Sequence, residues 1–140
     1  MGGRGSSGIR NSEGFNPNDY KKTDELYFLA KGAEYLHREE GAELRTISEN
    51  GNKGFVAYKE ESDKLHMEYL GSTGGHLGQK LMTYMADKAI QKNKDLAWTS
   101  MDYSRGYYSQ LGLDEYSIDG SNAYRVKVSQ LKDFRKRLNP

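Results

Sequence analysis

The 140-residue sequence has no cysteine, two prolines, one tryptophan and three histidines. Without cysteine there is no disulfide framework, no thiolate nucleophile and no Cys-ligated zinc or iron. His37, His66 and His76 are the only imidazoles, which disfavours an all-protein zinc site, so chemistry without a metal is expected. No apolar run of about 18 residues is present, and the first residues carry no apolar segment of the signal-peptide kind. A soluble, cytoplasmic protein with no membrane partner is the expectation. Charge of one sign is not in excess either. The 21 Lys and Arg stand against 20 Asp and Glu, a net charge of +1, which gives no global electrostatic reason for nucleic-acid binding. The hydrophobic fraction is only 35%. A chain of this length suits one domain with one core rather than two.

Glycine and tyrosine are abundant instead, at 16 and 11 residues. Several glycines fall in the first 22 residues with serines and asparagines and almost nothing apolar. Such a composition does not repay its ordering entropy, so residues 1–22 read as a flexible tail ahead of a domain spanning 23–140. From Thr23 the pattern turns helical: Thr23 suits an N-cap, Asp24 and Glu25 suit the first turn, and Leu26, Leu29, Ala30, Ala33 and Leu36 share a stripe that Gly41 terminates. Strands over 42–48 and 55–59 flank Asn50-Gly51, a strong hairpin signal, and a third strand over 65–70 completes an antiparallel meander.

A Gly-rich loop then leads into a helix striped with Leu77, Leu81, Tyr84, Met85 and Ala89. The next strand, over 96–101, can lie parallel to 65–70 through a right-handed crossover. Ser104 suits the cap of a short helix that Gly112 stops. A strand over 123–128 places Tyr124, Val126 and Val128 on one face, and Ser129 suits the cap of a last helix carrying Leu131, Phe134 and Leu138. The fold class expected is α/β (α+β): a mixed, mostly antiparallel sheet of about six strands with flanking helices and one central parallel pair.

The loop Gly71-Ser72-Thr73-Gly74-Gly75-His76-Leu77-Gly78 is the segment most suggestive of chemistry. Glycines let backbone approach a ligand closely, and the first turn of the following helix presents unpaired N–H groups to an anion. That combination suits a pyrophosphate. The spacing fits neither a P-loop nor a dinucleotide-binding Gly-x-Gly-x-x-Gly, which disfavours ATP and NAD. The segment from Met67 to Met82 resembles the acetyl-CoA-binding motif of the GNAT superfamily of N-acetyltransferases, where a strand meets Gln/Arg-x-x-Gly-x-Gly/Ala and then a helix. Ser104-Arg105-Gly106-Tyr107-Tyr108-Ser109-Gln110-Leu111-Gly112-Leu113 is similar to the later Ala-x-x-Phe-Tyr-x-x-x-Gly-Phe segment of that superfamily.

The resemblance implies acetyl-CoA as co-substrate, held by Leu70, Gly71, Ser72, Thr73, Gly74, Gly75, His76, Leu77 and Gly78 in the splayed gap of the parallel pair. It also implies that Tyr108 protonates the departing thiolate. The sequence departs from the signature at two positions: Thr73 stands for the leading Gln/Arg and His76 for a glycine. Weakened or altered cofactor binding is the expected consequence. His76 reads either as a phosphate contact or as an ordinary loop residue. Tyr108 reads either as the acid or, like Tyr107, as packing.

For a general base, alternation places His66 and Glu68 on one face of their strand and Leu65, Met67 and Tyr69 on the other. The pair is either the proton acceptor for an amine or a solvated surface pair, and Asp102 is a third candidate. Six basic residues between Arg125 and Arg137 form either a solvated face or a patch for an acidic partner. The function expected is acetyl transfer from acetyl-CoA to an unknown amine acceptor by direct attack. The first residues also resemble N-terminal segments of small phage-encoded proteins. That suggests an alternative: a catalytically degraded GNAT-fold phage or mobile-element protein that binds a host or virion protein in the host cytoplasm.

Overall fold

A computed structural model of the protein describes residues 8–138. Six strands form one sheet in the order β1 (Arg10–Asn11), β2 (Glu43–Glu49), β3 (Asn52–Glu60), β4 (Lys64–Ser72), β5 (Asp95–Thr99) and β6 (Ala123–Val126). Every neighbouring pair is antiparallel except β4 and β5, which are parallel. Helix α1 (Asp24–Glu40) packs on one face, burying Leu26, Ala30 and Ala33 against Leu44, Phe55 and Ala57. Helices α2 (Leu77–Lys92) and α4 (Leu131–Leu138) pack on the other, against Val56, Leu65, Met67 and Trp98. The short helix α3 (Arg105–Gln110) sits between β5 and β6.

Local chemistry sets the ends of these elements. Thr23 has extended backbone and its hydroxyl accepts the Leu26 N–H at 3.0 Å, and α1 stops where Gly41 enters the left-handed region at φ 72°. Asn50 and Gly51 both have positive φ and join β2 to β3 with Glu49 opposite Asn52, the twist a two-residue hairpin needs. The last helix buries Leu131, Phe134 and Leu138 as its spacing predicts. Its start differs from expectation. Ser129 lies inside the 3₁₀ turn Val128–Gln130 and makes no cap, while the Gln130 side chain accepts the Lys127 N–H at 3.0 Å. Strand β6 correspondingly ends at Val126, and Val128 donates its N–H to Asp95 Oδ1 instead of continuing the sheet.

Two further departures matter for the site. Residues 9–22 are not a loose tail. Arg10 and Asn11 pair with Thr46 and Arg45, and Tyr20 is buried, its ring 4.8 Å from Phe55 with Phe15 alongside. The Tyr20 hydroxyl donates to the Gly54 carbonyl, so long-range aromatic burial overrides a polar local composition. Residues 1–7 of the expected tail lie outside the described residues. Strand β4 carries a β-bulge. Tyr58 pairs with Met67 but Ala57 pairs with Tyr69, leaving Glu68 as the extra residue. Parity changes there, so Tyr69 turns away from Leu65 and Met67 and packs against α1 at Gly32.

Candidate functional site

Parallel pairing of β4 with β5 covers only Lys64–Met67 against Asp95–Trp98. Beyond it β5 ends at Thr99, while β4 continues through the bulge to Ser72. Among the described residues the β5-facing edge of β4 from Glu68 onward therefore has no strand partner, and a cleft opens. Its main compartment, of about 360 Å³, is walled by Leu26 and Leu29 of α1, Leu70, Gly71 and Ser72 of β4, Gly78 of α2, and Tyr103, Ser104, Tyr107 and Tyr108. A recess of about 30 Å³ shares Leu29, Leu70, Ser104 and Tyr108 with it and adds Glu68, Tyr69 and Ser100.

Tyr108 is the residue common to both spaces whose chemistry matters most. It is 6% exposed, with its ring 5.5 Å from Trp98 and 5.4 Å from Tyr124, which themselves stack at 4.9 Å. Burial, reinforced by Tyr107 and Tyr124, pushes its phenol above the ordinary tyrosine value, and among the described residues no hydrogen bond engages it. Below, Gly112 takes φ 75° and its N–H returns to Ser109, while Leu113 N–H returns to the Tyr108 carbonyl. The segment is thereby clamped. Tyr107 is 37% exposed, and its hydroxyl crosses to Gly78 at the start of α2.

His66 and Glu68 come together as their spacing predicts, with Nδ1 2.9 Å from Oε2. The bulge places Glu68 at the recess, whereas His66 stands behind it outside the lining. Asp102 is not brought into the cleft. It is exposed in the 3₁₀ turn Asp102–Ser104, and its carboxylate accepts from Asn122 Nδ2.

In the Gly-rich loop, Thr73 extends the β3 pairing: its N–H donates to the Lys53 carbonyl, and its hydroxyl accepts the Lys53 N–H and donates to Asn52 Oδ1. Lys22 Nζ caps the Thr73 carbonyl at 2.8 Å and brings a cation to the loop from the segment expected to be loose. Gly74 and Gly75 have φ 142° and 67°, and a side chain on either would meet Asn52. His76 stands at φ 62° immediately before α2, a conformation that suits glycine, and its Nδ1 bonds Gln79 Oε1 at 3.0 Å. Leu77 and Lys80 return their N–H groups to Gly74 and His76. The amides of Gly78 and Gln79 have no protein acceptor among the described residues, so the first turn of this 16-residue helix keeps two unpaired N–H groups of the kind that suit an anion.

Sequence reasoning did not reach Glu25, Tyr103, Ser100 or Lys22. Only the pairing of distant segments shows them. Ser100 is 6% exposed, and among the described residues its hydroxyl, Trp98 Nε1 and the Tyr124 hydroxyl are buried without partners. A roomier groove of about 500 Å³ lies elsewhere, but most of its charges pair with one another, Lys59 with Glu40, Arg45 with Glu43 and Lys92 with Glu60, while Lys88 lies over the Tyr84 ring. The basic C-terminal segment is also partly consumed. Arg125 pairs with Asp95 and Asp63, Arg135 with Asp87, and Arg137 with Glu115. Among the described residues, no group of three or more His, Cys, Asp or Glu is placed to hold a metal ion, and no helix is long and apolar enough to cross a membrane.

No protein-family model and no curated protein sequence matches this chain. Solved structures do. A mutant AtaT toxin bound to the C-terminus of the antitoxin AtaR and acetyl-CoA superposes with a TM-score of 0.63 at 10% identity, over 90% of this chain and 96% of that one. Tetrahymena GCN5 superposes with a TM-score of 0.51 at 15% identity, over 81% of each chain. The sheet order, the single parallel pair and the flanking helices are those of the GNAT acetyltransferase fold.

Proposed function

We propose that this protein is an N-acetyltransferase that moves an acetyl group from acetyl-CoA to an amine. The observation that carries the reading is the position of Tyr108, which lines both the main compartment and the recess holding Glu68 and whose hydroxyl has no partner among the described residues. The similar AtaT structure, which contains acetyl-CoA, supports the choice of co-substrate. The donor set fits it. Unpaired amides at Gly78 and Gln79, with Lys22 on the Thr73 carbonyl of the same loop, suit a pyrophosphate, and the unpaired edge of β4 suits an extended amide-bearing arm. Acetyl-CoA would supply an activated acyl group as a thioester.

The chain's own residues then have three tasks. Leu70 to Gly78 hold and orient the co-substrate, converting an encounter into a positioned reaction. Glu68, backed by His66 at 2.9 Å, takes the proton that the amine loses as its nitrogen bonds to the acyl carbon. Tyr108 donates a hydrogen bond to the sulfur as the carbon–sulfur bond breaks. Its raised pKa keeps the phenol protonated, and the same dry surroundings raise the basicity of the thiolate.

The test is a thermal shift followed by turnover. Acetyl-CoA at 100 times its Kd adds about 2.7 kcal/mol of stability, a visible rise in Tm. Tyr108→Phe removes no protein hydrogen bond, so it should keep the fold and the shift while lowering kcat about tenfold or more. No shift at millimolar acetyl-CoA ends the proposal, and an unchanged kcat removes Tyr108 from it. A second reading, in which the chain binds a protein without turnover, is favoured by His76 and Thr73 standing in the signature and by the protein partner in the AtaT structure. Binding of acetyl-CoA with no thiol release from any amine would favour it.

A further inference from the structure

We infer that this protein pairs with a second copy of itself through the outer face of α1, the two helices lying antiparallel about a two-fold axis at Lys31. Among the described residues the two most exposed large hydrophobic side chains are Phe28, at 56%, and Tyr35, at 53%. Both stand on α1, two turns apart, on the side opposite the one that buries Leu26, Ala30 and Ala33. With the exposed Asp24, Lys31 and Arg38 they form a single stripe in which successive members are four, three, four and three residues apart. That spacing is the seam along which two helices pack side by side. Glu25, Leu26 and Leu29, the α1 residues that wall the cleft, lie outside the stripe, so this contact and the cleft do not compete.

The charges on the stripe select the occupant. It begins with an anion, Asp24, and ends with a cation, Arg38, so its complement is the same stripe run backwards. In an antiparallel pair Asp24 faces Arg38 of the second copy, Phe28 faces its Tyr35, and each contact occurs twice. A parallel pair would set Asp24 on Asp24, Lys31 on Lys31 and Arg38 on Arg38, all repulsive. At the axis Lys31 leans over the Tyr27 ring at 5.9 Å, and Glu34 of the second copy lies one turn away to meet it. These charges are available. Asp24 and Lys31 make no ion pair among the described residues, and Arg38 meets only Glu34 at 3.7 Å and Glu39 at 2.9 Å on an open surface, where such pairs exchange readily. One 17-residue helix per copy, about 25 Å long, is a small contact beside stable interfaces of about 1,200–2,000 Å², so the pair should form and separate with concentration.

The experiment is sedimentation equilibrium of the full chain from micromolar to millimolar concentration. The mass should rise from 15.9 kDa toward twice that value, and Phe28→Glu or Tyr35→Glu, at exposed sites, should hold it at 15.9 kDa with the Tm unchanged. Asp24→Arg and Arg38→Asp should each weaken association about tenfold or more, and an equimolar mixture of the two should restore it, because every facing pair in the mixed dimer is again opposite in sign. The chain has no cysteine, so a single introduced thiol reports the register. Under mild oxidation Lys31→Cys should form a disulfide-linked dimer, whereas Asp24→Cys should not, since the two copies of residue 24 stand about 21 Å apart across the axis. A mass of 15.9 kDa at every concentration overturns the pairing, and so does association that survives both Phe28→Glu and Tyr35→Glu. A mixture of the charge variants that fails to associate, or Asp24→Cys that cross-links as readily as Lys31→Cys, overturns the antiparallel arrangement.

Discussion

The hydroxyl of Tyr107 lies over Gly78, where a Cβ added to residue 78 would come within 2.6 Å of it. Alanine in the first turn of α2 should gain about 0.5 kcal/mol of helix propensity, but only if the phenol moves. Gly78→Ala should therefore be close to neutral in the wild-type background and stabilising in a Tyr107→Ala background. A double-mutant cycle by urea unfolding should give a coupling of about 0.5 kcal/mol or more. Strict additivity would mean that Tyr107 does not hold this position in solution.

A tighter contact lies beneath the bulge. A Cβ on Gly32, in the middle of α1, would stand 2.5 Å from Cζ of Tyr69, the residue next to Glu68. Gly32→Ala should cost about 1–3 kcal/mol through overpacking, reversing the usual helix gain. Gly106 in α3 meets nothing within 4 Å, so Gly106→Ala should be stabilising by up to about 1 kcal/mol. Urea midpoints moving in the same direction for both variants would contradict the packing described.

Those two contacts show what the sequence could and could not disclose. Thr23, Gly41, Asn50-Gly51 and Gly112 were legible because each acts within a few residues, through a cap or a positive φ. The strand, Gly-rich loop and helix order was legible for the same reason. The bulge at Glu68 left no local sign, since strict alternation through Leu65 to Leu70 reads the same with or without it, and Tyr69 was placed on the wrong face. Residues 9–22 looked unable to fold because Tyr20 finds its partner, Phe55, 35 positions away. Glu25, Ser100 and Tyr103 enter the cleft only when α1, β5 and the 3₁₀ turn Asp102–Ser104 meet around Tyr108.

His76 gives a prediction of opposite character, because it holds a glycine-like conformation at φ 62° without burial. A non-glycine residue in the left-handed region carries strain of about 1 kcal/mol or more, and a β-branched residue carries the most. The Tm order should be His76→Gly equal to or above wild type, and wild type above His76→Val. His76→Gly should also enlarge the acetyl-CoA melting shift, since it lets the backbone approach the ligand. A smaller shift in His76→Gly would instead make the imidazole a ligand contact.

Phenol hydroxyls held away from water set an alkaline limit to stability. Burial pushes Tyr107 up to about 12 and moves Tyr108 in the same direction. In the unfolded chain both return to about 10, so between these values the folded state holds protons that the unfolded state has released. This contribution is complete below about pH 10 and is lost as pH rises through the folded values, so the free energy of unfolding should fall steadily from about pH 10 to pH 12. Tyr107→Phe removes one of the titrating groups and should flatten the decline. Urea unfolding at closely spaced pH values checks both statements, and a level profile across that window in the wild-type protein would show that the Tyr107 and Tyr108 hydroxyls are solvated.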